Sequence, residues 1–357
     1  MNPLLLNFIF LTILALICYF YNLRNKTTKA TKIFIIISFI SIVILRAFVN
    51  IEYLPDLPAY NEGFQNILNI KFIDVATSNI GIKSDELGFR YSLKILGGIS
   101  NSFTFFLLIF GLVWTYLYYK TIKEYSPFIM VSILFLLIGP FNQSIFVLRQ
   151  HMAMAIVLIS YKFIINGDLK KFLFTILLAF SFHYTAIVAI PMYFIYAIKN
   201  NKNLVLLLIT TAIITSIFTP ILLNYFGREV FQDYSVYIDS EKKTNASGFI
   251  LFAIVLLFYC FFLRKNIFNE GINRLLFINI TIGVILLGSG IGFNPTGRLA
   301  MYYSSIGFLA IPKTIEYINN KLTRYTCLLS YMMLYLYINF YGSAYQFISE
   351  YSFLHYR

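Results

Sequence analysis

Residues Gly139 to Ala155 read GPFNQSIFVLRQHMAMA, and this stretch sets an arginine inside an apolar helix. A Gly-Pro break and Phe141-Asn142-Gln143 precede Ser144, which stands in an N-cap position, and a hydrophobic helix then runs to about Ile165. At about 1.5 Å of rise per residue, Arg149 lies roughly 7 Å below Ser144, so its guanidinium must snorkel, pair or meet an anion. One arginine near a helix end is as often a snorkelling residue as a functional one. Several at the same membrane face point to a site.

Outward from that stretch the composition fixes the class. The 357 residues are 59% hydrophobic and only 12% charged, with a mean hydropathy of +0.76, values foreign to a water-soluble domain of this length. The fold class is therefore all-α, a polytopic integral membrane protein forming a single membrane domain over 1–357. Cys18, Cys260 and Cys327 lie in apolar segments without ligand-like spacing, so neither a disulfide framework nor a metal site is expected, and no cofactor. Pro3 to Tyr21 ends in bulky aromatics rather than the small residues a signal peptidase needs, and reads as a retained first span.

About ten transmembrane helices are expected, near 3–21, 32–49, 102–119, 126–139, 144–165, 203–225, 247–263, 274–291, 298–317 and 325–342. Between the fifth and sixth, 170–199 divides at Ser181-Phe182-His183 into halves too short to cross a core of about 30 Å. Lysines flank both ends, which predicts a re-entrant helical hairpin entered and left from the inner side, with His183 near its apex.

This layout puts 17 basic and 4 acidic residues inside, so the entire formal charge of +13 is positive-inside bias. It leaves no basic patch interleaved with base-reading residues, and a nucleic-acid partner is excluded. The unusual polar residues then gather on the outer face, with outer loops near 50–100 and 226–247. Arg46, Arg90, Arg149, Arg228 and Arg298 all fall on that side, Arg298 as the first residue of a helix after Gly288–Gly297. Arginine at a helix N-terminus opposes the macrodipole unless both address an anion such as phosphate. Outside there are six arginines to five lysines, and inside four to thirteen, a contrast that bidentate phosphate recognition would select. The plainer alternative pairs these arginines with Glu52, Asp56, Glu86, Asp233 or Asp239.

In chain order come Arg46; Asp56 and Tyr60; Glu86, Gly88 and Phe89; Arg149, Gln150 and Ala153; Ala179, Phe182 and His183; and Gly297, Arg298 and Tyr302. This order resembles the EpsG-like branch of Wzy-type bacterial polysaccharide polymerases over roughly residues 46–312. Each motif alone is weak, but six in sequence on a matching hydropathy profile are specific. The resemblance implies a multi-pass protein of the bacterial cytoplasmic membrane that makes O-antigen, capsule or exopolysaccharide. It implies glycosyl transfer at the outer leaflet between undecaprenyl-diphosphate-linked oligosaccharides in the lipid bilayer, alongside a flippase and a chain-length regulator.

The residues offer what such chemistry needs. A lipid diphosphate leaving group is stabilised by guanidinium groups, with Arg149 and Arg298 the first candidates, Arg46 and Arg90 completing a clamp, and Arg228 a weaker member. The acceptor hydroxyl needs a general base, and His183 is the only histidine in a motif, with Asp56 and Glu86 as competitors. Without the resemblance, a core histidine is an equally good reading of His183, and loop carboxylates such as Asp56 and Glu86 are more often plain solvated charges. Tyr60, Tyr302 and Gln150 are candidates for contacting sugar, as are Tyr53, Phe64 and Tyr91 in the outer loop, although such aromatics more often form an interface belt. Arg298 and Tyr302, at i and i+4, share a helix face. His151, about 200° around the helix from Arg149, faces away from it.

Two other classes fit parts of the pattern. A lipid-linked oligosaccharide flippase would also need interior arginines, but along both halves and near the midplane. An outer-leaflet glycosyltransferase or polysaccharide ligase would share the site logic with a different donor or acceptor. A P-loop, a dinucleotide loop, a Gly-x-Ser-x-Gly elbow and a His-Glu-x-x-His motif are all absent.

Overall fold

The computed structural model describes residues 2–81, 86–199, 201–211, 214, 247–269, 271–289 and 294–341. Among these the chain is helical, without a strand. Five helices are long and apolar enough to cross a membrane: Pro3–Asn25, Lys29–Ala47, Phe103–Tyr125, Leu148–Ile165 and Ile272–Ser289. Leu6, Phe10, Ile13, Ile17 and Phe20 stand exposed on the first, as a lipid-facing surface requires. The protein is a polytopic membrane protein.

The described residues form two compact units, 2–159 with 175–186, and 160–174 with 187–341. In the first, Lys29–Ala47 packs between Pro3–Asn25 and Phe103–Tyr125. The long segment expected as an outer loop is itself largely helical. Leu57–Leu68 packs on Leu87–Gly97, and Leu87–Gly97 packs on Phe103–Tyr125. Phe64, Phe89, Phe106 and Phe110 form an aromatic core beneath these helices, with ring centroids 5.1 to 6.0 Å apart along the chain of contacts. Phe64 is wholly buried there, and so is a core residue rather than a platform for sugar.

Several expected boundaries shift. The helix Ile129–Ile138 has ten residues, about 15 Å, and cannot span the core alone. Pro140, which lacks an amide proton, instead opens a separate short helix, Pro140–Ser144. Ser144 therefore ends a helix rather than capping one, and Leu148–Ile165 starts four residues later. Arg149 is thus in the first turn of its helix, not a turn below the cap.

The 169–197 segment turns back as expected. Leu169–Phe182 is followed by a 3-10 stretch, Tyr184–Ala189, and by Pro191–Ala197. At its base the Phe172 and Tyr193 rings lie 5.2 Å apart, and Tyr193 Oη donates to Gly167 O at 2.7 Å.

In the second unit, Ile272–Ser289 packs on Ser247–Leu263 and on Asn294–Ser304. Gly283 permits the second contact, because a Cβ there would lie 3.2 Å from Ser304 N. The expected span 298–317 is two helices, Asn294–Ser304 and Gly307–Glu316. Arg298 is consequently the fifth residue of its helix, not the first.

Candidate active site

Four motif residues from distant parts of the first unit meet around the Glu86 carboxylate. Glu86 precedes the helix Leu87–Gly97 and is 6% exposed, a buried acid rather than a solvated loop charge. Its Oε2 accepts from Arg149 Nη1 at 2.6 Å, and its Oε1 pairs with His183 Nδ1 at 2.5 Å. The backbone N–H of Tyr184 also donates to Oε1, at 3.2 Å. A buried carboxylate is tolerable only when it is paired and hydrogen-bonded in this way.

Gly88 explains how the acid reaches the histidine. A Cβ at Gly88 would lie 2.9 Å from the backbone carbonyl of Ser181, two residues before His183. Only glycine lets the start of Leu87–Gly97 come this close to the end of Leu169–Phe182. The next residue, Phe89, is wholly buried against Tyr60, Phe106 and Phe110, which fixes the rotation of that helix. Phe182 packs on Phe110 from the other side, with centroids 6.3 Å apart. The E-x-G-F and F-H motifs are thus two halves of one junction.

With Glu86 as acceptor, His183 Nδ1 is the donor, and Nε2 is the ring nitrogen left outside this pair. Arg149 keeps capacity to spare. Its Nε donates to Tyr60 Oη at 3.2 Å, its side chain is 20% exposed, and Nη2 has no partner among the described residues. Tyr60 is 4% exposed and sits on Leu57–Leu68; burial pushes its phenol up from the usual range, and the Arg149 charge pulls the other way.

The other candidates are placed as follows. Asp56 lies half-buried at the start of Leu57–Leu68, one turn before Tyr60, and its charge acts on that phenol. Arg90 is buried and donates through Nη2 to Ser78 O, tying down the segment before its helix. Gln150 is buried. Arg46, 2% exposed, donates through Nη1 to Ser144 Oγ and lies 4.5 Å from the Trp114 ring centroid. In the second unit Arg298 is half-buried, and Tyr302 follows it by one turn on Asn294–Ser304 and is buried. Arg228 lies outside the described residues.

Sequence reasoning missed Gly88, Ser144, Trp114 and Gly111 as supports of these side chains. A Cβ at Gly111 would lie 3.4 Å from Arg46 Nε, so this glycine makes room for the arginine. A glycine within an amphipathic helix was the available signal for Gly88. Among the described residues no group of acids, histidines and cysteines is arranged to hold a metal.

No curated protein and no solved structure matches this chain. The model of the EpsG family matches residues 32–356, nearly its whole length, and includes every residue of the site just described. The protein belongs to the EpsG family.

Proposed function

We propose that this protein is a polysaccharide polymerase that joins undecaprenyl-diphosphate-linked oligosaccharide repeat units by glycosyl transfer at the outer leaflet of the bacterial cytoplasmic membrane. Membership of the EpsG family supports a role in polysaccharide biosynthesis. The observation that carries the finer reading is the Glu86–His183 pair beside the partly exposed Arg149.

In this reading His183 Nε2 takes the proton of the acceptor sugar hydroxyl while that oxygen bonds to the donor's anomeric carbon. The bond from that carbon to the diphosphate breaks, and the lipid diphosphate leaves with the electron pair. Glu86 orients the ring and stabilises the imidazolium that forms. Arg149, with its open Nη2, faces the charge that grows on the leaving group. Tyr60 holds the guanidinium in position.

The test is the glycan profile of the source cell with this gene deleted, then complemented by wild type or by His183→Ala. Loss of long chains with single lipid-linked units persisting, restored by wild type alone, is the expected result. Accumulation of repeat units on the cytoplasmic leaflet would replace this reading with that of a flippase.

A further inference from the structure

The helix Leu87–Gly97, expected as part of an outer loop, exposes an apolar stripe. Phe89, Leu93 and Gly97 are buried on its inner side, while Leu87 and Ile95 stand outward, with the half-buried Tyr91 between them at i+4. The Phe72 ring, itself exposed, lies 5.2 Å from that of Tyr91 and is followed by Ile73, which is 82% exposed. Ile99, two residues past the helix, is 69% exposed. The neighbouring helix Leu57–Leu68 instead exposes Glu62, Gln65 and Asn66. Water suits the second set of side chains and not the first, because a contiguous apolar patch of this kind normally has something to cover it.

The depth of the stripe follows from Phe103–Tyr125. That span ends in Lys120, Lys123 and Glu124, which are exposed and belong outside the hydrocarbon core. The stretch that remains, Phe103 to Tyr119, is about 25 Å long, so all of it is needed to cross a core of about 30 Å, and Phe103 stands at the opposite boundary. Gly97 is joined to Phe103 by a short link. Phe89, at the other end of its helix, packs on Phe106 and, at 5.9 Å between centroids, on Phe110. Phe110 is seven residues, about 10 Å, further in than Phe103. The helix therefore descends beside the span. At its deep end Gly88 meets Ser181 of Leu169–Phe182, which exposes Leu177, Leu178 and Phe180, so exposed apolar residues flank that junction on both sides.

We propose that Leu87–Gly97 lies within the leaflet at which Phe103–Tyr125 begins, with Leu87, Tyr91 and Ile95 against lipid chains and Phe72, Ile73 and Ile99 at the headgroup boundary. Lys71, exposed beside Phe72, is placed to meet lipid phosphate there. The bilayer is the occupant of this surface because the stripe leads directly into a span that is itself exposed at Val113 and Tyr116. The inference goes beyond the proposed reaction and does not depend on it. Glu86, the residue before Leu87, is thereby set below the headgroups, and the site is entered from within the membrane.

The experiment uses the full chain in nanodiscs, carrying Leu87→Trp, Ile99→Trp or Gln65→Trp, each a substitution at an exposed position. The chain has a single tryptophan, the wholly buried Trp114, and its signal in wild type is the background to subtract. Phospholipids brominated at successive depths along the acyl chain quench from the bilayer, and acrylamide quenches from water. The tryptophans at 87 and 99 are expected to lose most of their fluorescence to brominated lipid and far less to acrylamide, with 87 responding to deeper bromines than 99. The tryptophan at 65 should show the opposite preference.

Acrylamide quenching at 87 and 99 as strong as at 65 overturns the proposal in favour of an aqueous loop. Protection from both quenchers overturns it in favour of a protein partner, and protection that disappears in discs holding one copy identifies that partner as a second copy of this chain. Equal depths at 87 and 99 overturn the descent into the leaflet. None of these readouts involves the glycan product, so their failure is separate from a failure of the proposed reaction.

Discussion

Glu86 and His183, 97 residues apart in the chain, share a 2.5 Å contact between Oε1 and Nδ1, and this contact leaves Nε2 as the ring nitrogen that Glu86 does not engage. Glu86→Gln keeps the shape and removes the charge that holds the tautomer. Loss of positioned base catalysis is worth about 10²–10⁴ in rate, so polymer should fall by that order in cells that still contain folded protein. Near-normal polymer chains would show that His183 does not act through this pair.

Arg149→Ala removes the cation from a buried carboxylate, and breaking such a pair costs about 3–5 kcal/mol. The variant should lose polymer and unfold at lower temperature. Arg149→Met combined with Glu86→Gln should recover most of the stability and none of the activity. Arg149→Lys tests geometry: a lysine cannot reach both Tyr60 and Glu86 with separate planar donors, so it should fail too. Activity in the lysine variant would mean that charge alone suffices.

Gly88→Ala drives a methyl group into the Ser181 carbonyl and should cost about 1–3 kcal/mol. Because the junction it opens carries both Glu86 and His183, polymer should fall further than the loss of folded protein explains. Comparing membrane-inserted protein with polymer length on the same samples checks this.

The Tyr60 phenol is raised by burial, and so stays protonated well past the range in which a histidine titrates. Tyr60→Phe should therefore leave the pH profile of polymerisation unchanged between about pH 5 and 9 while losing about 0.5–1.5 kcal/mol from the Arg149 hydrogen bond. The sign above that range is fixed as well. A tyrosine that ionises less readily folded than unfolded contributes stability that declines as pH rises past about 10, and the phenylalanine variant should lack that decline.

Arg298→Ala tests whether the second unit contributes to the chemistry. The variant is expected to abolish polymer, with membrane-inserted protein and polymer length measured on the same samples. Polymer of normal length would confine the diphosphate contacts to the first unit.

The sequence by itself determined the membrane class, the five long spans and the returning segment at 170–199, because hydropathy and flanking charge are local and additive along the chain. It also singled out Tyr60, Glu86, Arg149 and His183, through motif order rather than through any reading of their contacts. Only the tertiary structure decided that these four meet, that Glu86 is buried between a cation and an imidazole, and that Arg46 is instead held by Ser144 and Trp114. Those contacts join residues 63 to 98 positions apart, for which no local periodicity exists. The same limit explains the misplaced helix starts at Ser144 and Arg298. A polar residue before an apolar run looks like a cap, but Pro140 opens a short helix of its own that ends at Ser144, and Asn294–Ser304 begins four residues before Arg298.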